Sequence, residues 1–186
     1  MKSALILHGT GDNPNKNWFP WLKNELEQKG YKTWVPQLPQ AKQPSIKRYN
    51  EFIFSSNWEF NNQSTLIGHS SGAVAILGLL QALPADVQVD TCILVGVFKD
   101  GLGWSNLSEL FETPFDYDYI KTKAKRFIFI HSDDDPYCPL DHAKYISSKL
   151  GGELIIKPSQ QHFSISTAGE KYSQFPLLTD IFLMLE

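Results

Sequence analysis

Gly68-His69-Ser70-Ser71-Gly72 joins an apolar run, Thr65-Leu66-Ile67, to a small apolar segment, Ala73-Val74-Ala75-Ile76-Leu77, and no other stretch constrains the chain as much. Read as strand, sharp turn and helix, it is a G-x-S-x-G nucleophile elbow. A serine hydroxyl is a weak nucleophile in water, so a chain that uses one must expose it, supply a base and stabilise the oxyanion it creates. Such a turn lifts Ser70 above the sheet and aims the N–H of Ser71 and the positive end of the next helix at the same point. Gly68 and Gly72 fit because side chains there would collide with the neighbouring strand and helix.

Around this turn, apolar runs alternate with helical segments, the pattern of a doubly wound, mostly parallel α/β sheet of about six strands with helices on both faces. Residues 4–7 read as the first strand and 18–29 as a helix capped by Asn17, with Pro20 in its first turn and Gly30 closing it. A second strand covers 31–35, a helix 46–58, and the third strand runs into the elbow. The helix after the elbow is apolar nearly all round, so it should be buried, and Pro84 stops it. Continuous apolar runs at 91–97 and 126–130 suit central strands covered on both faces. A helix over 141–150, a last strand at 153–157 and a final helix over 175–185 complete the pattern.

At 186 residues, with no internal repeat or linker, the chain reads as a single domain over 1–186. Hydrophobic residues at 42% and charged residues at 20% exclude wholesale disorder, and a net charge of -3 argues against a nucleic-acid surface. No window approaches a membrane span, and the N-terminal apolar stretch is too brief for a signal peptide, so a cytoplasmic location is expected. Cys92 and Cys138 give neither a disulfide framework nor a paired metal-ligand spacing. The segment 98–125 is less regular and aromatic. Two readings stay open for it: an irregular connection packed on the sheet, or a short cap supplying an apolar wall for substrate.

A serine on such an elbow draws its acid and then its base from loops after later strands, in that chain order. Of five histidines, His8, His69 and His131 precede or overlap the acid position and His142 lies within a helix, which leaves His162 in the loop past the last strand. The acid belongs after Ile130, in His131-Ser132-Asp133-Asp134-Asp135-Pro136. Asp135 is the first choice, because Pro136 fixes the backbone after it; Asp134 is second, and Asp133 is read as part of a solvated turn. One oxyanion donor is the N–H of Ser71. The other should come from Gly9-Thr10-Gly11, with Thr10 the first candidate and Gly9 the alternative. The same loop fails as a dinucleotide site, since Pro14 stands where a third glycine belongs. A metal site from His8, His131, Asp133 and His162 has no helical ligand spacing, so neither metal nor cofactor is expected.

With these residues in place, the sequence resembles the YdeN-like, retinoblastoma-binding-protein-9-like serine hydrolases of the α/β-hydrolase superfamily. The resemblance spans nearly the whole chain: the early Gly-rich loop with Trp18-Phe19-Pro20-Trp21-Leu22-Lys23 and Glu25-Leu26, Ile67-Gly68-His69-Ser70-Ser71-Gly72-Ala73, Asp134-Asp135-Pro136, and His162-Phe163. It implies a Ser70, Asp135, His162 triad and a minimal α/β-hydrolase fold with strand order 2-1-3-4-5-6. Gln161 stands where such enzymes commonly have glycine. The L-x-C-x-E string of one branch is missing, so binding to a pocket protein does not carry over.

The expected activity is hydrolysis of a small ester, thioester or activated amide through an acyl-enzyme, with Trp18, Trp104, Phe115 and Phe163 as candidate pocket-lining residues. The competing reading is a non-catalytic binding module on a hydrolase scaffold.

Overall fold

In the computed structural model, which describes residues 1–185, six strands form one sheet in the order β2-β1-β3-β4-β5-β6, every neighbouring pair parallel. They are β1 Ser3–Leu7, β2 Lys32–Trp34, β3 Ser64–His69, β4 Val89–Val95, β5 Ala124–Ser132 and β6 Glu153–Lys157. Between and after them run α1 Phe19–Gln28, α2 Ile46–Phe54, α3 Ser71–Ala82, α4 Tyr117–Thr122, α5 Leu140–Leu150, α6 Ile165–Ala168 and α7 Pro176–Leu185, with 3-10 turns at Ser105–Leu110 and Glu170–Ser173.

Alternation along the strands sorts the core into two layers. Leu5 and Leu7 of β1, Leu66 of β3 and Cys92 and Leu94 of β4 pack with α2, α3 and α5. Ala4, Ile6, Ile67, Ile93 and Val95 pack on the other face with α1 and α7. A strand covered twice needs apolar residues at successive positions, which is why β1, β3 and β4 read as continuous apolar runs. Helix α3 is buried from Ser71 through Leu80, because it lies between the sheet and α2.

Two elements differ from expectation for local reasons. Helix α2 stops at Phe54, because the hydroxyls of Ser55 and Ser56 turn back to the carbonyls of Phe52 and Ile53, at 2.9 and 2.6 Å. Asn17 does not cap α1: it stands at φ 51, donates to Asp12 and accepts from the N–H of Ile165 at 2.8 Å.

The turn after β3 rests on two close approaches. A Cβ on Gly68 would sit 2.5 Å from the Cα of Ala73, and one on Gly72 would run into the carbonyl oxygens of Leu7 and His8. The obstacles are backbone, so no rotamer change relieves them. Gly72→Ala should therefore cost about 3 kcal/mol, lowering Tm by roughly 6 to 12 °C. Gly101→Ala, where the nearest atom lies 3.9 Å away, is the control and should leave Tm unchanged. A thermal melt of both variants checks this.

Candidate active site

All six strands being parallel, the loops after β1, β3, β4, β5 and β6 leave from one edge, and the order reverses between β1 and β3. Open α/β sheets bind their ligands at such a reversal. Ser70, between β3 and α3, has φ 56 and ψ -124, a conformation that costs a non-glycine residue on the order of 1 to 3 kcal/mol. The turn is held by Ser70 N–H to Val95 O at 2.8 Å and Ala73 N–H to Ser70 O at 2.9 Å.

The β1 loop closes in from the side. The α-carbon of Gly9 is so near that a side chain there would meet Ser70 Cβ at 3.1 Å, and Thr10 Oγ1 donates to Ser71 Oγ at 2.9 Å. The Gly11 N–H is committed to Ala41 O at 2.8 Å, which removes it as a donor to the cleft. Ser71 opens α3, where the helix has no carbonyl to offer its N–H.

His162 Nδ1 lies 2.7 Å from Asp135 Oδ2, with side chains 7% and 0% exposed. The other Asp135 oxygen accepts from the N–H groups of Tyr137 and Cys138 at 2.9 and 3.0 Å. Burial raises the Asp135 pKa, but the hydrogen bond and charge of His162, with the two backbone donors, outweigh it and hold the carboxyl below its usual range. An ionised carboxylate only accepts, so Nδ1 carries a proton towards Asp135, and in the neutral ring Nε2 is the acceptor. The neighbouring aspartates have other work. Asp134 accepts from Ser132 Oγ at 2.6 Å and from the backbone and side-chain amides of Gln161 at 2.7 and 2.8 Å. Asp133, expected to be merely solvated, accepts from Ser159 N–H at 2.9 Å.

Ser70 and His162 line one cleft of about 670 Å³. Phe98, Leu102, Trp104, Leu107 and Tyr137 contribute apolar lining, and Asp12, Lys16, Asn17 and Ser164 contribute polar lining. Tyr137 meets the His162 ring edge-on at 5.1 Å, and Trp104 meets Tyr137 at 5.8 Å.

Of the four aromatic residues expected to line the pocket, only Trp104 does. Trp18 is fully buried against Phe19 and Phe175, because its indole N–H donates to Phe163 O at 3.1 Å. Phe163 is buried and stacked on Phe175 at 5.3 Å, and Phe115 lines a separate surface groove with Tyr117 and Tyr145.

Three contributors escaped the sequence reading. Gly96, just past β4 at φ 61, leaves room for the imidazole, since a Cβ there would lie 3.2 Å from His162 Cε1. Tyr137 carries no motif, and Asn17 resembled a helix cap. Cys138 also lines the cleft. Burial and the Asp135 charge push its thiol's pKa well up, which keeps it protonated at neutral pH.

The atoms of Asp135, Cys138 and His162 that could ligate a metal lie within 4.8 Å of one another, the one such group among the described residues. The set His8, His131, Asp133 and His162 is not gathered. His8 instead joins the Gly9 carbonyl, at 2.9 Å, to the Leu38 N–H, at 3.1 Å, while His131 Nε2 meets the Cys138 carbonyl at 2.8 Å. No helix among the described residues is long and apolar enough to cross a membrane.

An all-parallel sheet of this order, with helices on both faces and a strained serine turn at its carboxyl edge, is the α/β-hydrolase arrangement. The chain belongs to the serine hydrolase family, whose profile matches residues 4–182. It is similar to the protein YdeN of Bacillus subtilis (strain 168), 27% identical over 97% of this chain and 94% of that one. It is also similar to the serine hydrolase RBBP9 of Rattus norvegicus, 27% identical over 84% of this chain and 83% of the relative. The crystal structure of the B. subtilis ydeN gene product superposes with a TM-score of 0.91 at 26% identity, covering 99% and 98% of the two chains. Mouse alpha/beta hydrolase domain-containing protein 10, at 13% identity and a TM-score of 0.70 over 98% and 89%, shares the fold.

Burial lowers the pKa of His8, His69 and His131, in the case of His69 to about 3. Between that value and the unfolded value of about 6.5, the unfolded chain takes up protons that the folded one refuses. The contribution of these histidines is therefore full above about pH 6.5 and falls as the pH drops below it, by up to ~1.4 kcal/mol per unit for His69, with His8 and His131 acting in the same direction. Chemical denaturation at pH 7, 6 and 5 should show this loss, with a slope shallower by one histidine's share in His69→Gln.

Proposed function

We propose that the chain is a serine hydrolase that cleaves a small ester, thioester or activated amide through an acyl-enzyme, with Ser70 as nucleophile, His162 as base and Asp135 as acid partner. The observation that carries this reading is the 2.7 Å bond between Asp135 and His162 beside a cleft that Ser70 also lines. Ser70 Oγ attacks the carbonyl carbon while His162 Nε2 takes its proton; Asp135 keeps the ring oriented and stabilises the imidazolium. The oxyanion is received by the N–H groups of Ser71 and Thr10, each such donor being worth about 3 to 4 kcal/mol in the transition state. His162 then gives its proton to the leaving group, and water repeats the sequence to release the acid.

The apolar lining is the seat of the acyl group, and the polar lining receives the alcohol, thiol or amine. Because Phe98, Leu102, Trp104 and Leu107 all come from the segment 98–125, that segment is read as a short cap on a single hydrolase domain. The substrate is a small molecule and the location cytoplasmic.

A fluorophosphonate probe tests the chemistry. Wild type should label, Ser70→Ala should not, and His162→Ala or Asp135→Asn should turn over short p-nitrophenyl esters roughly 10³- to 10⁴-fold more slowly. Asp134→Asn should lose far less. Folded wild type that fails to label would favour the binding-module reading, and label persisting in Ser70→Ala would remove Ser70 from its role. For the apolar lining, Trp104→Ala should raise KM for a butyrate ester roughly 3- to 10-fold while leaving the acetate nearly unchanged, a contrast read from initial rates on the two esters.

A further inference from the structure

The loop after β6 is strained where it carries His162. Ser159, Gln161 and Phe163 have φ of 56, 55 and 52, a region that costs a non-glycine residue on the order of 1 to 2 kcal/mol. Two consecutive carbonyls of this loop are each met by a buried ring nitrogen. His69 Nε2 lies 2.8 Å from His162 O, and Trp18 Nε1 donates to Phe163 O at 3.1 Å.

The direction of the His69 bond follows from chemistry. A carbonyl oxygen only accepts, so Nε2 carries the hydrogen. Burial, helped by the positive charge of His162, lowers the His69 pKa to about 3, so the ring is neutral and its Nδ1, which has no partner among the described residues, is bare. The two donors also brace each other: the Trp18 and His69 rings pack edge to face at 5.9 Å, and Phe19 packs on both, at 4.5 and 6.1 Å. The His69 ring lies 4.7 Å from that of His162.

We propose that His69 and Trp18 are positioning residues. Their ring N–H groups grip the carbonyls of His162 and Phe163, fixing the strained loop so that the imidazole stands against Asp135. The residue before Ser70 thereby ties the strand bearing the alcohol to the loop bearing the imidazole. This rests on the proposed role of His162 as base, but the clamp itself can be read without turnover.

The first readout is therefore the far-downfield proton resonance of the Asp135–His162 hydrogen bond in resting protein. It should be present in wild type, lost or broadened by exchange in His69→Phe and Trp18→Phe, and restored in His69→Gln, whose amide N–H reaches about as far as the imidazole Nε2. The second is the fluorophosphonate labelling rate of Ser70, expected to fall about 10- to 100-fold in the two Phe variants, with kcat reduced and KM little changed, and to recover most of that loss in His69→Gln. Circular dichroism establishes that each variant is folded. Where His69→Phe does not fold, Trp18→Phe against wild type decides.

A resonance and labelling rate in the Phe variants equal to wild type would overturn the proposal. So would His69→Gln being as impaired as His69→Phe, since ring shape rather than the N–H would then matter. Wild type that shows the resonance but takes no label would sink the hydrolase reading and leave the clamp standing.

Discussion

Helix α3 begins where β3 ends, and it can do so only because its first turn lies against the backbone of β1. The Leu7 and His8 carbonyls occupy the space a side chain on residue 72 would need, and Ala73 occupies that of residue 68. With β1 and β3 in register from Ser3 with Ser64 to Leu7 with Gly68, the sheet fixes where these carbonyls stand. The residue between is forced to φ 56 and ψ -124, and it lines the cleft. The closeness of Gly9 to Ser70 and the Thr10–Ser71 hydroxyl bond both follow from that one backbone contact.

The loop facing this turn is held differently. It has strained residues rather than glycines, and its strain is offset by hydrogen bonds that it donates to carboxylates, each typically worth about 1.5 to 3 kcal/mol. Three adjacent aspartates divide the labour: Asp133 takes Ser159 N–H, Asp134 takes Gln161, and Asp135 takes the His162 ring. The turn after β5 makes this possible: Asp133 and Asp134 stand in it and Asp135 just past it, so the three carboxylates reach different partners. Asp133, which reads as part of a solvated turn, thus docks this loop as well. Gln161 stands at φ 55 and offers both of its amides to Asp134.

What the sequence made legible was whatever depends on local pattern. The apolar runs located the strands, and the elbow singled out Ser70, because its strand, turn and helix context was followed along the chain by a candidate acid and a candidate base. Strand order came only with the family resemblance, since periodicity says which segments are strands and nothing about which lie side by side. Chain order and Pro136 ranked Asp135 ahead of Asp134, and the 2.7 Å contact falls on Asp135. The aromatic pocket was mostly illegible. Trp18 and Trp104 look alike in sequence, but one is wholly buried and the other 46% exposed. That difference arises from the carbonyl of Phe163, far along the chain, which the indole of Trp18 reaches.

Burial has a chemical consequence as well as a mechanical one. His8 follows β1, His69 ends β3 and His131 is the next-to-last residue of β5, and desolvation disfavours the charged form of each. If the His69 ring, 4.7 Å from that of His162, were a cation, two unit charges at that distance would repel by roughly 3 to 4 kcal/mol at an effective dielectric of about 20. That would oppose the imidazolium on which the proposed acyl transfer depends. A neutral His69 donates to the His162 carbonyl without this penalty. The same low dielectric strengthens the pull of the Asp135 carboxylate on whatever charge His162 acquires. Packing His69 beneath Trp18 and Phe19 therefore holds the loop in place and reserves the carboxylate for the ring that faces the cleft.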